Sequence, residues 1–388
     1  MSKPGFLEKL LDGASVEWKP LKQVLVRTKG TKITAGQMRA LHKEGAPIKI
    51  FAGGKTFACV NLDDIPQKHI NREPSIIVKS RGIIEFEYYD QPFSHKNEMW
   101  SYHSQRDHIS IKYVYHFLKL NEPYFQGIGS KMQMPQISTP ITDDFGIPIP
   151  CPDDPEKSLA IQAEIVRILD TFTKLTAELT AELKARKQQY NHYRDQLLSF
   201  EEGEVEWIPL EKLAENLDSK RKPITSSLRE PGEIPYYGAS GVVDYVKDYL
   251  FDGDYLLVSE DGANLLARST PIAFSISGKT WVNNHAHILE FETYAERRFV
   301  EYYLNSIDLT PYISGAAQPK LNKKNLNSIL IPNPSLDEKK RIVTILDTFD
   351  KLTTSLSEGL PREIKLRQQQ YEYYRDLLLS FPKPEGVA

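Results

Sequence analysis

Two textures alternate along the chain. Residues 19–152 and 208–334 break their apolar positions into short runs, such as Ser75-Ile-Ile-Val78 and Tyr255-Leu-Leu-Val258, set among Gly, Pro and Tyr. Runs of that length between turn residues predict strands, with some helix at Tyr113–Leu118 and Phe299–Leu304. Residues 158–200 and 335–381 instead place apolar side chains at steps of four and three, the seam of a coiled coil. The first seam is Ile161, Ile165, Ile168, Phe172, Leu175 and Leu179, resuming at Tyr190, Tyr193, Leu197 and Phe200. The second is Ile342, Ile345, Phe349, Leu352 and Leu356, then Tyr371, Tyr374, Leu378 and Phe381. A heptad seam needs a partner, and each of these segments supplies the other's.

The alternation is a duplication. Val16-Glu17-Trp18 with Pro20-Leu21 returns as Val205-Glu206-Trp207 with Pro209-Leu210. Ile147-Pro-Ile-Pro-Cys-Pro152 returns as Ile329-Leu-Ile-Pro-Asn-Pro334, and Ile168-Leu-Asp-Thr-Phe172 recurs unchanged as Ile345-Leu-Asp-Thr-Phe349. Tyr193-Arg-Asp195 with Leu197-Leu-Ser-Phe200 recurs as Tyr374-Arg-Asp376 with Leu378-Leu-Ser-Phe381. The copies slip by four residues after Thr176/Thr353. The first helix then carries the quartets Thr-Ala-Glu-Leu179 and Thr-Ala-Glu-Leu183, and the second carries three quartets ending at Leu356, Leu360 and Ile364. Gly359 and Pro361 are expected to kink or interrupt the second helix, since proline removes a helical hydrogen bond.

Composition narrows the class without naming it. At 388 residues, 40% hydrophobic and 26% charged, the chain suits two to three globular domains. No signal peptide or membrane-length apolar run appears, and Cys59 and Cys151 form no CxxC; a cytoplasmic protein is expected. The net charge is −3, but residues 19–150 hold 18 Lys+Arg against 12 Asp+Glu while residues 208–334 hold 13 against 16. The first block could footprint phosphates and the second argues mildly against it.

Enzyme chemistry finds little support. Gly53-Gly-Lys-Thr56 resembles a phosphate loop, but the glycine that pattern needs is Lys49. His285-Ala-His287 could pair two imidazoles on a strand, yet no third ligand stands at a telling spacing, so no metal is expected. Glu260-Asp261 lacks a nuclease's downstream lysine and reads as a turn before Gly262. Neither a GxGxxG nor an Asn/Asp-Pro-Pro-aromatic motif occurs.

Two globular modules on a helical spacer suit two sites at a fixed separation, since forty helical residues span about 60 Å. Two patches of a protein partner would fit as well as two stretches of DNA. The run IPIPCP…AEIVRILDTF…TAELTAEL…QQYNHYRDQLLSF then resembles the specificity subunits of type I restriction-modification enzymes, with similar organisation over nearly the whole chain. The resemblance implies an α+β fold: two globular α/β target recognition domains, each followed by a long helix, the helices packed as an antiparallel coiled coil in a pseudo-two-fold duplication. Residues 1–18 would be an N-terminal arm, 19–157 the first recognition domain and 158–200 the central conserved helix. Residues 201–334 would be the second recognition domain, 335–381 the C-terminal conserved helix and 382–388 a tail.

The same resemblance implies a non-catalytic subunit that reads a bipartite, non-palindromic site in double-stranded DNA. It implies two methyltransferase subunits docked on the helices, whose acidic stretch 153–207 (7 basic, 12 acidic) suits protein partners. Two restriction/translocase subunits would complete the enzyme. S-adenosylmethionine, ATP and Mg2+ are expected on those partners and no cofactor on this chain. Side chains suited to phosphates and base edges on predicted loops are Lys55, Thr56, Lys79, Ser80, Arg81 and Lys131 in the first module. Ser240, Asn264 and Arg268 take equivalent places in the second, with Gln318, Lys320, Asn322, Lys323 and Lys324 in a local basic stretch. Trp100 and Trp281 are expected in the core.

Overall fold

The computed structural model describes residues 6–130, 134–201, 203–315 and 318–383. They form two compact units, one of residues 1–179 with 364–388 and one of residues 180–363.

In unit 1, short helices α1 (Phe6–Leu11) and α2 (Leu21–Val24) flank β1 (Val16–Pro20), and β2 (Val26–Lys29) leads to α3 (Ala35–Leu41). Strands β3 (Ile48–Phe51), β4 (Phe57–Val60), β5 (Ser75–Lys79), β6 (Glu85–Tyr89), β7 (Phe93–His95) and β8 (Trp100–His103) follow. Then come α4 (Ile111–Leu120), α5 (Glu122–Gly129), α6 (Thr139–Asp143), β9 (Gly146–Pro150) and α7 (Pro155–Leu197), which belongs to unit 2 from Thr180 onward. Sheet order is β2-β8-β5-β6, all antiparallel, with a separate β4-β3-β7 sheet and a β1-β9 ribbon. Strand β5 lies between β8 and β6, and every one of its residues is buried. Helix α4, capped by Ser110, turns Tyr113, Val114, Phe117 and Leu118 onto that sheet.

Unit 2 repeats the plan with one change. Its elements are β10 (Glu206–Pro209), β11 (Glu215–Asn216), β12 (Pro231–Gly238), β13 (Gly241–Val246) and β14 (Phe251–Ser259). They continue with α8 (Asn264–Ala267), β15 (Ala273–Val282), β16 (Ala286–Glu290), α9 (Tyr294–Ser306), α10 (Lys323–Asn327), β17 (Leu330–Asn333) and α11 (Leu336–Thr354). The order β11-β16-β14-β15 matches β2-β8-β5-β6, but β12 and β13 extend this sheet instead of forming a second one. Trp18 faces Pro148 across β1-β9 as Trp207 faces Pro332 across β10-β17. The repeated sequence at either end of each module is therefore one ribbon.

The last helix, α12 (Leu360–Leu378), belongs to unit 1 from Ile364 onward. The second helical segment is thus two helices, parted at Ser355–Gly359. Gly359 has φ +81°, and a Cβ there would lie 2.5 Å from the Lys351 carbonyl oxygen, so only glycine fits. Pro361 sits in the first turn of α12, where its missing N–H costs nothing. Leu356 falls in this break and is 80% exposed, so it is not a seam residue.

Towards the ends of both helical segments the seam closes crosswise. In unit 1, Phe172 stacks on Tyr374 at 5.2 Å, and Leu378, Leu379 and Phe381 enter the core with Ile161, Ile165 and Leu169. In unit 2, Tyr193 stacks on Phe349 at 5.7 Å, and Leu197, Leu198 and Tyr190 join Ile342, Val343 and Leu346. These are the same contacts made twice, in antiparallel order. The aspartate of the repeated Ile-Leu-Asp-Thr-Phe also serves twice. Asp170 meets His116 Nε2 at 3.0 Å and Lys112 Nζ at 2.6 Å, while Asp347 accepts from Arg298 at 3.0 Å and Tyr302 at 2.6 Å. Burial pushes the Asp170 carboxyl up, but His116 and Lys112 outweigh it and hold it below the usual range.

One buried histidine sets an acid limit. His95 in β7 is 0% exposed, with Nδ1 3.1 Å from the Lys96 carbonyl oxygen. Burial pushes its pKa down from 6.5 to about 4, against the pull of that carbonyl. Between those values the unfolded chain binds a proton that the folded chain excludes. Its contribution is therefore whole above pH 6.5 and is lost as pH falls towards 4, an effect of about 3 kcal/mol. The melting temperature should fall steeply over that window, and His95→Asn should flatten the fall. An equally steep fall in the variant would assign it to other groups.

Candidate nucleic-acid interface

In unit 1 the antiparallel pairing of β3 with β4 forces a tight turn at Gly53–Thr56, where Gly54 takes φ +64°. Lys55 and Thr56 stand exposed at its tip. The turn enters a strand, not a helix, so it lacks the helix N-terminus that a phosphate loop uses. A second turn, Ser80-Arg81-Gly82, follows β5. It is laced to Pro135-Gln136-Ile137 by Gly82 N–H to Pro135 O at 2.9 Å and Ile137 N–H to Ser80 O at 3.0 Å. The two turns lie side by side, for a Cβ on Gly53 would come 3.8 Å from the Arg81 carbonyl oxygen. Beside Thr56 a groove is lined by Arg39, His42 and Lys96, and an adjoining one by Lys32, Gln37 and Lys96. Lys32, Lys55, Arg81 and Lys96 on loops and Arg39 on α3 thus share one region.

Two candidates leave this set. Lys79 is 6% exposed and ion-paired to Glu85 at 3.1 Å and Glu87 at 2.7 Å. Ser80 is 1% exposed and donates to the Glu98 carbonyl at 2.6 Å. Both continue a strand buried on its two faces, so neither reaches the surface. Lys131 lies outside the described residues.

Unit 2 builds the same lacing. Gly262 N–H meets Pro319 O at 3.3 Å, Leu321 N–H meets Glu260 O at 2.8 Å, and Asp261 bridges to Lys320. Ser240 is exposed at the β12–β13 turn, and Gln318, Lys320 and Lys323 are exposed near the second turn. Others are spent internally. Asn264 bonds Thr270 and Ser269 across its own loop, and Asn322 caps α10. Arg268, at φ +52°, donates to the Asn305 and Ile307 carbonyls at the end of α9, at 3.2 and 2.8 Å. Trp100 is buried as expected, whereas Trp281 is only half-buried and donates to the Lys222 carbonyl.

Behind the unit 2 turn lies a buried charge network. His287, fully buried, has Nδ1 2.6 Å from Asp218 and Nε2 2.7 Å from the Leu321 carbonyl oxygen. Arg221 reaches Glu260 at 2.7 Å and Asp218 at 3.3 Å, and Lys320 reaches Glu260 at 3.1 Å. Burial pushes both carboxyls up, but His287 and Arg221 hold Asp218 below the usual range, and Arg221, His287 and Lys320 do the same for Glu260. Asp218, Glu260 and His287 bring three potential ligand atoms within 4.8 Å of one another, yet the Arg221 guanidinium already bridges the carboxylates. His285 does not join His287 in a metal pair, being half-exposed and bonded to Asp261 at 2.9 Å.

Sequence reading did not select Gln136 and Asp261, which the lacing places opposite Arg81 and Lys320. The signal for them is an alignment of the modules: Arg-Gly82 and Asp-Gly262 each close a buried strand, and Pro135-Gln-Ile and Pro319-Lys-Leu each precede a short helix.

The model of the type I restriction-modification DNA specificity domain matches the chain twice, over residues 17–186 and 202–366. The chain is 37% identical to the type I restriction enzyme EcoR124I/EcoR124II specificity subunit of Escherichia coli, over all of both chains. It is 33% identical to the EcoprrI specificity subunit of the same organism, over 92% of this chain and 93% of that one. Among solved structures, the S subunit of a type I restriction-modification system from M. genitalium superposes with a TM-score of 0.66 at 16% identity, covering 96% of this chain and 98% of that one. A structure from work on assembly and conformational transition of the type I system gives 0.53 at 13% identity, covering 97% and 98%. No helix among the described residues is long and apolar enough to cross a membrane.

Proposed function

The chain belongs to the family of type I restriction-modification specificity subunits, which recognise DNA sequence and do not catalyse, and from that premise we propose how it reads and what it holds. Each unit reads one half of a bipartite site, and the halves differ because the modules differ. Each unit's helix pair docks one methyltransferase subunit, and two restriction/translocase subunits complete the enzyme in the cytoplasm. S-adenosylmethionine, ATP and Mg2+ belong to those partners.

The observation carrying this reading is a surface that the chain writes twice. Thr171, Lys174, Gln369, Asp376 and Ser380 are exposed in unit 1, and the matching Thr348, Lys351, Gln188, Asp195 and Ser199 are exposed in unit 2. Core packing demands none of these identities, since exposed positions tolerate substitution. A partner that binds each copy alike does. The recognition turns, by contrast, carry different side chains in the two units.

Replacing residues 208–334 with the corresponding block of another specificity subunit should change one half of the methylated motif and keep the other. The measurement is methylome sequencing of a host expressing the hybrid with its partners. A change in both halves, or in neither, would overturn modular reading. The purified chain alone should show neither methyl transfer nor cleavage.

A further inference from the structure

We infer that Arg81 with Gln136, and Asp261 with Lys320, are the same pair of base-reading positions occurring once in each unit. The inference rests on the half-site reading above and names the residues that would set each half.

In both units a turn closed by a positive-φ glycine, Gly82 at +75° or Gly262 at +103°, follows the central strand. In both it is tied by two backbone hydrogen bonds to a Pro-X-apolar segment. Arg81 is bridged to Gln136 in one unit as Asp261 is to Lys320 in the other. Backbone groups hold the lacing in both units, and the four side chains at the matching positions differ in chemistry. The region around Arg81 is rich in exposed cations, as phosphate contact requires. Around Asp261 the charges are held in place, Asp261 by His285 at 2.9 Å and Lys320 by Glu260 at 3.1 Å.

The chemistry of each pair points to different bases. Arg81 can donate twice to guanine O6 and N7, and Gln136 can bond adenine N6 and N7. Asp261 can accept from the cytosine amino group, and Lys320 donates to guanine. The same lacing built twice, with different side-chain chemistry at matching points, gives two unrelated half-sites.

The test is methylome sequencing and DNA binding with each single alanine variant assembled with its methylating partners. Arg81→Ala and Gln136→Ala should relax one or two adjacent base pairs of one half, with discrimination there falling roughly 5- to 150-fold. Asp261→Ala and Lys320→Ala should relax the other half. Melting temperatures separate a reading defect from misfolding. Uniform weakening on all sequences with a smaller salt slope would make these phosphate contacts and overturn the inference, as would an unchanged motif. Relaxation of both halves by Arg81→Ala would leave base reading standing and sink the one-half-per-unit premise instead.

Discussion

A chain lengthened by one Thr-Ala-Glu-Leu quartet after Leu183 is expected to leave its parental sites unmethylated and to methylate the same two half-sites set one base pair further apart, or at most two. Helix α7 runs unbroken through the insertion point, and Thr180, Ala181, Glu182 and Lys184 around it are exposed, so added residues meet little packing. Four residues extend the helix by about 6 Å and rotate it roughly 40° beyond a full turn. One base pair advances DNA by about 3.4 Å and turns it roughly 34–36°. Rotation therefore matches one pair, and length allows between one and two. Alanine and leucine are strong helix formers, and leucine at every fourth place keeps the apolar stripe on its side. The second repeat already tolerates one more quartet than the first, with its break at Ser355–Gly359. Comparing the methylated motifs of parent and mutant decides the matter. An active mutant that kept the parental spacing would show that α7 does not set the distance.

His287→Ala should destabilise unit 2 by about 3–5 kcal/mol, since it leaves buried carboxylates short of a partner. The Asp218 carboxylate would keep Arg221 and the Ile288 N–H, but the Leu321 carbonyl would lose its donor. In a unit of this size that corresponds to roughly 6–20 °C in Tm. Leu321 also belongs to the segment that laces the Asp261-Gly262 turn, so on the proposed reading the motif half read by unit 2 should blur before the other. His285→Ala, on the exposed rim, is the control and should move Tm by a degree or two at most. Equal Tm values for wild type and His287→Ala would mean that the network contributes nothing net.

Much of this architecture was legible because duplication prints each signal twice. The Glu-Trp and Ile-Pro parts of the repeated end segments became paired strands in both units, and parts of the heptads became crosswise helix contacts. What failed were side-chain destinations. Lys79-Ser80-Arg81 reads as one polar triplet after a strand, but β5 keeps its buried register through Ser80 and only Arg81 emerges. Arg268 and Asn264 read as exposed loop donors, whereas the left-handed turn at Arg268 aims its guanidinium at the end of α9. Heptad spacing offers Ile168 and Leu169 equally, and the full burial of Leu169 depends on partner side chains that follow some 200 residues later.

That separation has a kinetic consequence. Unit 2 is a continuous stretch, while unit 1 needs Leu378, Leu379 and Phe381 to cover a core begun by Leu7 and Leu21. At 5–20 residues per second, those residues leave the ribosome roughly ten to forty seconds after residue 179. The module encoded first is thus finished last, and until then its open apolar face is the part of the nascent chain most in need of a chaperone.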